Sequence, residues 1–421
     1  MMDAIIIGAG MAGLTAAIEL KRRGLSYLVL EAAEAPGGRA ATRHAPSGTA
    51  IDLGAHWLHG EDNPLKNVLA QYDIPYHADQ SEHLAVYRQG KKHQSRDGGW
   101  LKKAIDPQKA RLIEQGLWGD RPLSALAVDP QARETLLDFD AMWSGVDLPI
   151  ETSAYEFLND QSTPGGLQVE GGMDNLISNL AKDAGYDHMK FNTAVVSLTN
   201  RPECVHVETA DGMIWKARMA LFTASLGVIN SGTVTFSPGL SASMRRHLAG
   251  LMMGKMNKIA VEVEPAFFEE QKIPQDMSLL LLDTKHFCHV RSAGSPLINL
   301  FISGNAAEKT ETLNKEQALA YMKNVLAPVE ELRGFETRLV GEPVVTAWVS
   351  NPYIRGSYSS CLVGGKRSGP RREDRIIFCG DTFDDQYPAS LAGAYRSGKA
   401  GAEMLAEFTE EHAVQSKVAA C

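Results

Sequence analysis

Positive charge is scarce in this 421-residue sequence: 42 lysines and arginines stand against 51 aspartates and glutamates, a net charge of −9. That balance argues against a nucleic-acid binder and mildly favours cationic ligands by steering. No apolar run approaches the ~20 residues that a membrane helix needs, so no integral membrane protein is expected. The five cysteines (Cys204, Cys288, Cys361, Cys379 and Cys421) are scattered and form no CxxC pair. They support neither a disulfide framework nor a metal site, and read as free thiols in a reducing compartment, the cytoplasm. Polar low-complexity tracts are absent as well, which with the ordinary apolar content argues against a disordered chain, and no internal repeat is visible. The first residues carry no basic region or cleavage site and read as a strand rather than a signal peptide. What remains is an ordinary apolar content of 44%, enough for two or three compact units at roughly 150 residues each.

The most specific local signal lies at the beginning. Residues 4–7 form a short apolar run suited to a parallel strand buried on both faces. Gly8-Ala9-Gly10-Met11-Ala12-Gly13 follows at once, then a helical pattern ending in basic residues at Gly24, then a second strand ending at Glu31. Gly8 permits a tight turn, Gly10 lets the backbone approach a pyrophosphate, and Gly13 lets helix and strand pack closely. The helix N-terminus offers free N–H groups to phosphate, and Glu31 can accept from a ribose hydroxyl. Gly8, Gly10, Ala12, Gly13 and Glu31 are therefore the first expected dinucleotide contacts. GxGxxG alone is weak; strand, fingerprint, helix, strand and acid in order are not.

Two further stretches decide which dinucleotide. Gly37-Gly38-Arg39 follows the second strand, where an arginine can reach the pyrophosphate, and residues 52–60 read Asp-Leu-Gly-Ala-His-Trp-Leu-His-Gly. Here the sequence resembles the flavin-containing amine oxidases, and at Gly-Ala-His-Trp-Leu-His-Gly the polyamine and spermine oxidase branch. The resemblance implies an α/β fold: a discontinuous Rossmann-like FAD-binding domain (1–80, 165–245 and 349–421) and an α+β substrate domain (81–164 and 246–348). The substrate domain is expected to hold a mixed sheet and a helical insertion over 62–164, with helical patterns at 106–115 and 130–143. Gly171-Gly172 marks a turn into a helix that Asp174 can cap.

The resemblance also assigns roles. The segment 254–263 matches the one whose lysine holds a water against flavin N5; Lys258 fits by its place before an alternating strand, and Lys255 reads as a surface residue. Ser357 stands where monoamine oxidases carry the cysteine that bonds the flavin, so FAD is expected to be non-covalent. Tyr358 matches an aromatic wall beside the substrate nitrogen. The opposite wall is Ser390 rather than tyrosine, which leans away from a complete aromatic cage and toward polyamine-type enzymes. Asp381 after Gly380 stands where the family has a cofactor-binding glutamate. Gly38, Arg39, Gly54, Ala55, His56, Trp57, Val195, Ser390 and Leu391 complete the expected flavin contacts, and His59 is expected near the substrate as a polar contact or proton relay.

No second GxGxxG for a nicotinamide cofactor is present. The resemblance therefore implies oxidation of a small-molecule amine to an imine by hydride transfer to flavin N5, with oxygen or another acceptor taking the electrons. Alternatives are a flavin L-amino-acid oxidase, which needs a cation for the substrate carboxylate (Arg291 and Arg355 are the candidates), a desaturase-like enzyme, and an FAD-bound protein without turnover.

Overall fold

The computed structural model describes residues 1–60, 62–79, 83–88, 91–97, 114–126, 144–147, 152–159, 166–275 and 280–419, with single positions at 110, 130, 133 and 137 and the short run 140–142. A nine-stranded sheet organises the first of two sheet-based parts. Its middle is Met2–Ile7, parallel to Tyr27–Leu30 on one edge and to Ile214–Phe222 on the other. Ile214–Phe222 then divides its free edge. Residues 214–217 pair antiparallel with Val205–Thr209, and residues 220–222 pair parallel with Ile376–Phe378. The register sets Ile7 beside both Leu30 and Phe222, and Phe222 beside Phe378. Four parallel strands thus end at one level, and ligands of open α/β sheets bind outside such carboxyl ends.

Helices cover this sheet. Met11–Arg22, Met173–Ala184 and Leu391–Ala419 pack on one face around Leu14, Leu20, Leu176, Leu180 and Leu405. The crossing of the first and last is close enough that a Cβ at Gly398 would lie 2.2 Å from the Ala12 carbonyl oxygen. The opposite face carries Leu198, Val207, Phe222, Leu226 and Phe378.

A second, seven-stranded sheet runs in the order Val344–Val345, Met256–Glu262, Leu297–Ser303, His286–Val290, Leu280–Leu281, His83–Arg88, Lys91–Asp97. It is mixed: Leu280–Leu281 runs parallel to His83–Arg88, and the other pairs are antiparallel. Met256–Glu262 is buried along its whole length. A three-stranded sheet of Leu58–His59, Gly166–Val169 and Tyr76–Asp79 holds the Trp-Leu-His-Gly turn.

Two sequence expectations change. The stretch 62–164 is not helical throughout, because it contains Tyr76–Asp79, His83–Arg88 and Lys91–Asp97 as strands. Of the helical patterns at 106–115 and 130–143, residues 106–109, 111–113 and most of the second lie outside the described residues. Asp174 does not cap its helix. Gly172, at φ 94°, is the N-cap with no side-chain bond, and the Asp174 carboxylate faces His44 Nε2 at 3.2 Å. Among the described residues no helix is long and apolar enough to cross a membrane, and no group of three or more metal-ligating side chains occurs.

Candidate flavin and substrate site

A cavity of about 370 Å3 begins at the carboxyl ends of the parallel strands and runs to the second sheet. At its first end, the fingerprint glycines differ in what requires them. A Cβ on Gly13 would lie 1.9 Å from the Gly8 carbonyl oxygen, and one on Gly8 (φ 103°) 2.8 Å from Thr223 Oγ1. At Gly10 a Cβ would meet only the Gly37 oxygen at 3.9 Å. Chain packing therefore explains Gly8 and Gly13, whereas Gly10 leaves free space on the cavity wall. The helix that starts at Met11 has no side-chain cap and no acidic residue in its first turn. Its N–H groups are thus left for an anion.

Glu31 lines the same end, 8% exposed. Its carboxylate accepts from Ala9 N–H at 2.6 Å and Ala33 N–H at 2.8 Å, so it braces the fingerprint turn as well as facing the cavity. Burial pushes its carboxyl up, against the pull of these backbone bonds. Val195, at the start of Val195–Asn200, lies on the wall nearby.

The middle is held by a charge pair. Arg39 donates from Nη2 to Asp381 Oδ1 at 2.5 Å and from Nη1 to Asp381 Oδ2 at 3.0 Å, and also to the Ser357 carbonyl at 2.7 Å. Both expected contacts thus line the cavity, but as a fork pinned together: the Asp381 carboxylate is occupied by Arg39. Gly38, Gly54, Ala55, Gly380, Ser390 and Leu391 lie on the same wall. Gly54 has no room for a Cβ, which would stand 2.0 Å from the Arg39 carbonyl oxygen. The Ser390 hydroxyl donates to the Tyr387 carbonyl at 2.8 Å and accepts from Gly393 N–H at 3.1 Å, which secures the start of the last helix.

At the far end lies Lys258, 2% exposed, on the fully buried strand Met256–Glu262. Its ammonium donates to the Asp52 carbonyl at 2.5 Å and sits 4.5 Å from the ring of Phe301, its neighbour across the register. Burial lowers its pKa to about 8, and the nearby Asp52 charge opposes that fall. His56 is driven well below the usual histidine range, first by burial and then by Lys258, His289 and His59; it meets His289 Nδ1 through Nε2 at 3.1 Å. Lys255, in contrast, pairs at the surface with Glu308.

Aromatic walls stand around this lysine. Tyr358 and Trp57 pack on Met142, Met256, Phe287 and Phe301, with Trp57 stacked on Phe301 at 5.8 Å. Trp57 and Phe301 therefore add aromatic surface that the serine at 390 does not supply. His59 faces the cavity beside Trp57, their rings 5.9 Å apart. Sequence reasoning missed Thr223, Phe301, Trp348 and Asn257, which also line the cavity. Thr223 was within reach, since it follows a strand that ends at the fingerprint. Phe301 and Asn257 are placed by strand register, which no local motif encodes. Arg291 and Arg355 are not on the cavity wall: Arg291 is held by Glu269 and the Ile273 carbonyl, and Arg355 is exposed.

The model of the flavin containing amine oxidoreductase family matches residues 11–406. Among relatives, lysine-specific histone demethylase 1 homolog 2 of Oryza sativa subsp. japonica is 28% identical, covering 96% of this chain and 57% of that protein. Polyamine oxidase 2 of Arabidopsis thaliana is 26% identical, covering 95% and 87%. The chain spans little more than half the length of the demethylase relatives. Its fold matches cyclohexylamine oxidase from Brevibacterium oxydans IH-35A (TM-score 0.78, 19% identity, 97% and 99% covered) and putrescine oxidase bound to putrescine (0.76, 19%, 96% and 99%). With an open fingerprint, an uncapped helix and a continuous cavity that fit a flavin dinucleotide, the chain belongs to the flavin-containing amine oxidoreductase family.

Proposed function

We propose that this enzyme oxidises the C–N bond of a primary or secondary amine, a polyamine or a related small amine, to an imine that water hydrolyses to an aldehyde and an amine or ammonia. Non-covalently bound FAD would supply the hydride acceptor, with oxygen taking up the electrons as hydrogen peroxide. The chain's own residues do the rest. Lys258, fixed through one N–H on the Asp52 carbonyl, has further N–H groups to hold a water at the cavity wall. Tyr358 and Trp57 present π faces to the amine nitrogen and exclude bulk water from it. His59 offers a polar contact at the cavity's edge. Arg39, oriented by Asp381, would hold the diphosphate region together with the uncapped helix at Met11. We read the segments of the nine-stranded sheet as the cofactor unit and those of the seven-stranded sheet as the substrate unit. The free thiols at Cys204, Cys288, Cys361 and Cys379 agree with a cytoplasmic setting.

The observation that carries this reading is the buried Lys258 set among aromatic rings in the cavity that starts at the fingerprint. The amine class is favoured over amino acids because the two arginines that would hold a carboxylate lie elsewhere. The test is anaerobic titration of the yellow holoenzyme with spermine, spermidine, acetylated polyamines, putrescine, an arylalkylamine, a methyl-lysine peptide and L-amino acids. Bleaching by polyamines or diamines, with peroxide formed when air returns, is expected. Bleaching by L-amino acids alone overturns the reading, and slow recovery in air replaces oxygen with another acceptor.

A further inference from the structure

A second, smaller cavity adjoins the main one. His59, Tyr358, Ala389 and Ser390 face both the main cavity and a smaller space of about 80 Å3 behind them. Asp140, Glu156 and Arg367 bring charge to that space, and Ser144 and Thr152 bring hydroxyls. The charges do not cancel. Arg367, 4% exposed, is committed to Glu156 through Nε and to the Ser359 hydroxyl, the Ser359 carbonyl and the Thr382 carbonyl through its other nitrogens. Glu156 gives its second oxygen to Cys361 N–H at 2.5 Å. That pair is neutral and nearly saturated.

Among the described residues Asp140 pairs with no cation. It is 3% exposed, and its carboxylate accepts one bond per oxygen, from Ser144 Oγ at 2.9 Å and Thr152 Oγ1 at 2.5 Å. Both donors are neutral, and a carboxylate has acceptor capacity for about two more. A buried carboxylate without a counter-ion is costly unless it takes up a proton or a cation arrives from outside. Burial pushes its carboxyl up, the Thr152 and Ser144 bonds oppose this, and Glu156 adds to the rise. The chamber exceeds the ~30 Å3 share of a liquid water, so an ammonium with adjoining methylenes has room.

We propose that this chamber receives the distal ammonium of a diamine or polyamine whose reacting nitrogen lies against Tyr358, with the Asp140 carboxylate as its counter-charge. The inference rests on the amine-oxidising reading above and narrows it to substrates with two cationic ends. A second amino group gains an ion pair there, while a carboxylate finds only a guanidinium already engaged.

The experiment compares kcat/KM for putrescine, cadaverine and spermidine with that for butylamine and pentylamine, in the wild-type holoenzyme and in Asp140→Asn. Wild type is expected to favour the diamine of each pair. Asp140→Asn is expected to shrink that diamine-to-monoamine ratio about 10- to 100-fold, the scale of a lost charge-assisted hydrogen bond. Asp140→Glu, which keeps the charge on a longer arm, is expected to retain the preference and favour a shorter diamine. A ratio unchanged in Asp140→Asn, or a wild type without diamine preference, overturns the subsite while amine oxidation stands. A wild type that oxidises neither class overturns the parent reading as well.

Discussion

Replacing Lys258 with methionine separates a functional lysine from a structural one by the sign of its effect on stability. Burial lowers the Lys258 pKa from 10.5 to about 8. At 1.36 kcal/mol per pH unit, holding the charged form in the fold costs about 3 kcal/mol. Methionine keeps the length and apolar packing against Phe301 but removes the donor to the Asp52 carbonyl, which costs about 1 kcal/mol. Near pH 6 the variant is therefore expected to be more stable by about 2 kcal/mol. With an unfolding entropy of about 2.1 cal/mol/K per residue, that raises Tm by about 2 °C in a chain of this size. An ordinary buried residue cut back in a core has the opposite sign, a loss of about 2–5 kcal/mol. The pH dependence follows from linkage. Below about 8 native and unfolded lysine are both charged, and the full penalty is present. As pH rises through 8 toward 10.5, the native state releases its proton while the unfolded state keeps it, so wild-type stability rises and the variant's advantage shrinks. Amine turnover is expected to fall by about 100-fold, the scale seen when a positioned donor is removed from a reacting centre. Thermal unfolding of the two flavin-loaded proteins between pH 6 and pH 10, beside stopped-flow flavin reduction and reoxidation, tests all three. A Tm drop of about 5 °C at pH 6, or unchanged turnover, refutes the reasoning.

Gly10→Ala and Gly13→Ala are expected to fail differently. Gly13→Ala drives a Cβ onto the Gly8 carbonyl and is expected to destabilise even the apoprotein by about 3 kcal/mol in urea unfolding. Gly10→Ala meets nothing within the chain closer than 3.9 Å and loses only the N-cap preference for glycine, so apoprotein stability is expected to change by less than about 1 kcal/mol while bound FAD, read by absorbance, falls about tenfold. Arg39→Ala strips the Asp381 carboxylate of its forked partner at the partly open cavity wall and is expected to cost about 2 kcal/mol, which adding Asp381→Asn partly restores in a double-mutant cycle. Thiol labelling of the native protein is expected to reach Cys204 but not Cys288, Cys361 or Cys379, all buried, with burial pushing each thiol up (Cys379 to about 12). Prompt labelling of any of those three in the native state counts against the packing described here.

What the sequence made legible follows from where each requirement is written. The fingerprint is a backbone requirement within a single turn, so Gly8 and Gly13 register as glycines at fixed spacing, and the contacts a Cβ would make confirm both. Lys258 is a different case. By itself a lysine in a sequence signals exposure, and only the resemblance of its segment set it apart from Lys255 three residues earlier. Its surroundings are encoded still less locally. Phe301 reaches its ammonium because residues 258 and 301 share a register, and Asp52 because its carbonyl comes from another sheet altogether. The region 62–164 misled for a related reason. Lys91–Asp97 reads Lys-Lys-His-Gln-Ser-Arg-Asp, polar throughout, yet it is the terminal strand of the seven-stranded sheet. Charged residues on an edge strand discourage edge-to-edge pairing and erase the alternation by which strands are recognised. Asp174 failed as a cap because the local rule was overridden from a distance: Thr42 Oγ1 already accepts from its N–H, and the Thr42 side chain leaves Gly172 no room for a Cβ. Asp140 is the sharpest instance. In sequence it is one acid among 51, and its candidate role arises only where one element brings it to the back of a wall that Tyr358 and Ser390 build from another. The fingerprint could be read from a contiguous motif because its glycines meet within one turn of backbone. The walls at the far end of the cavity could not, because their side chains meet only after two sheets are in place.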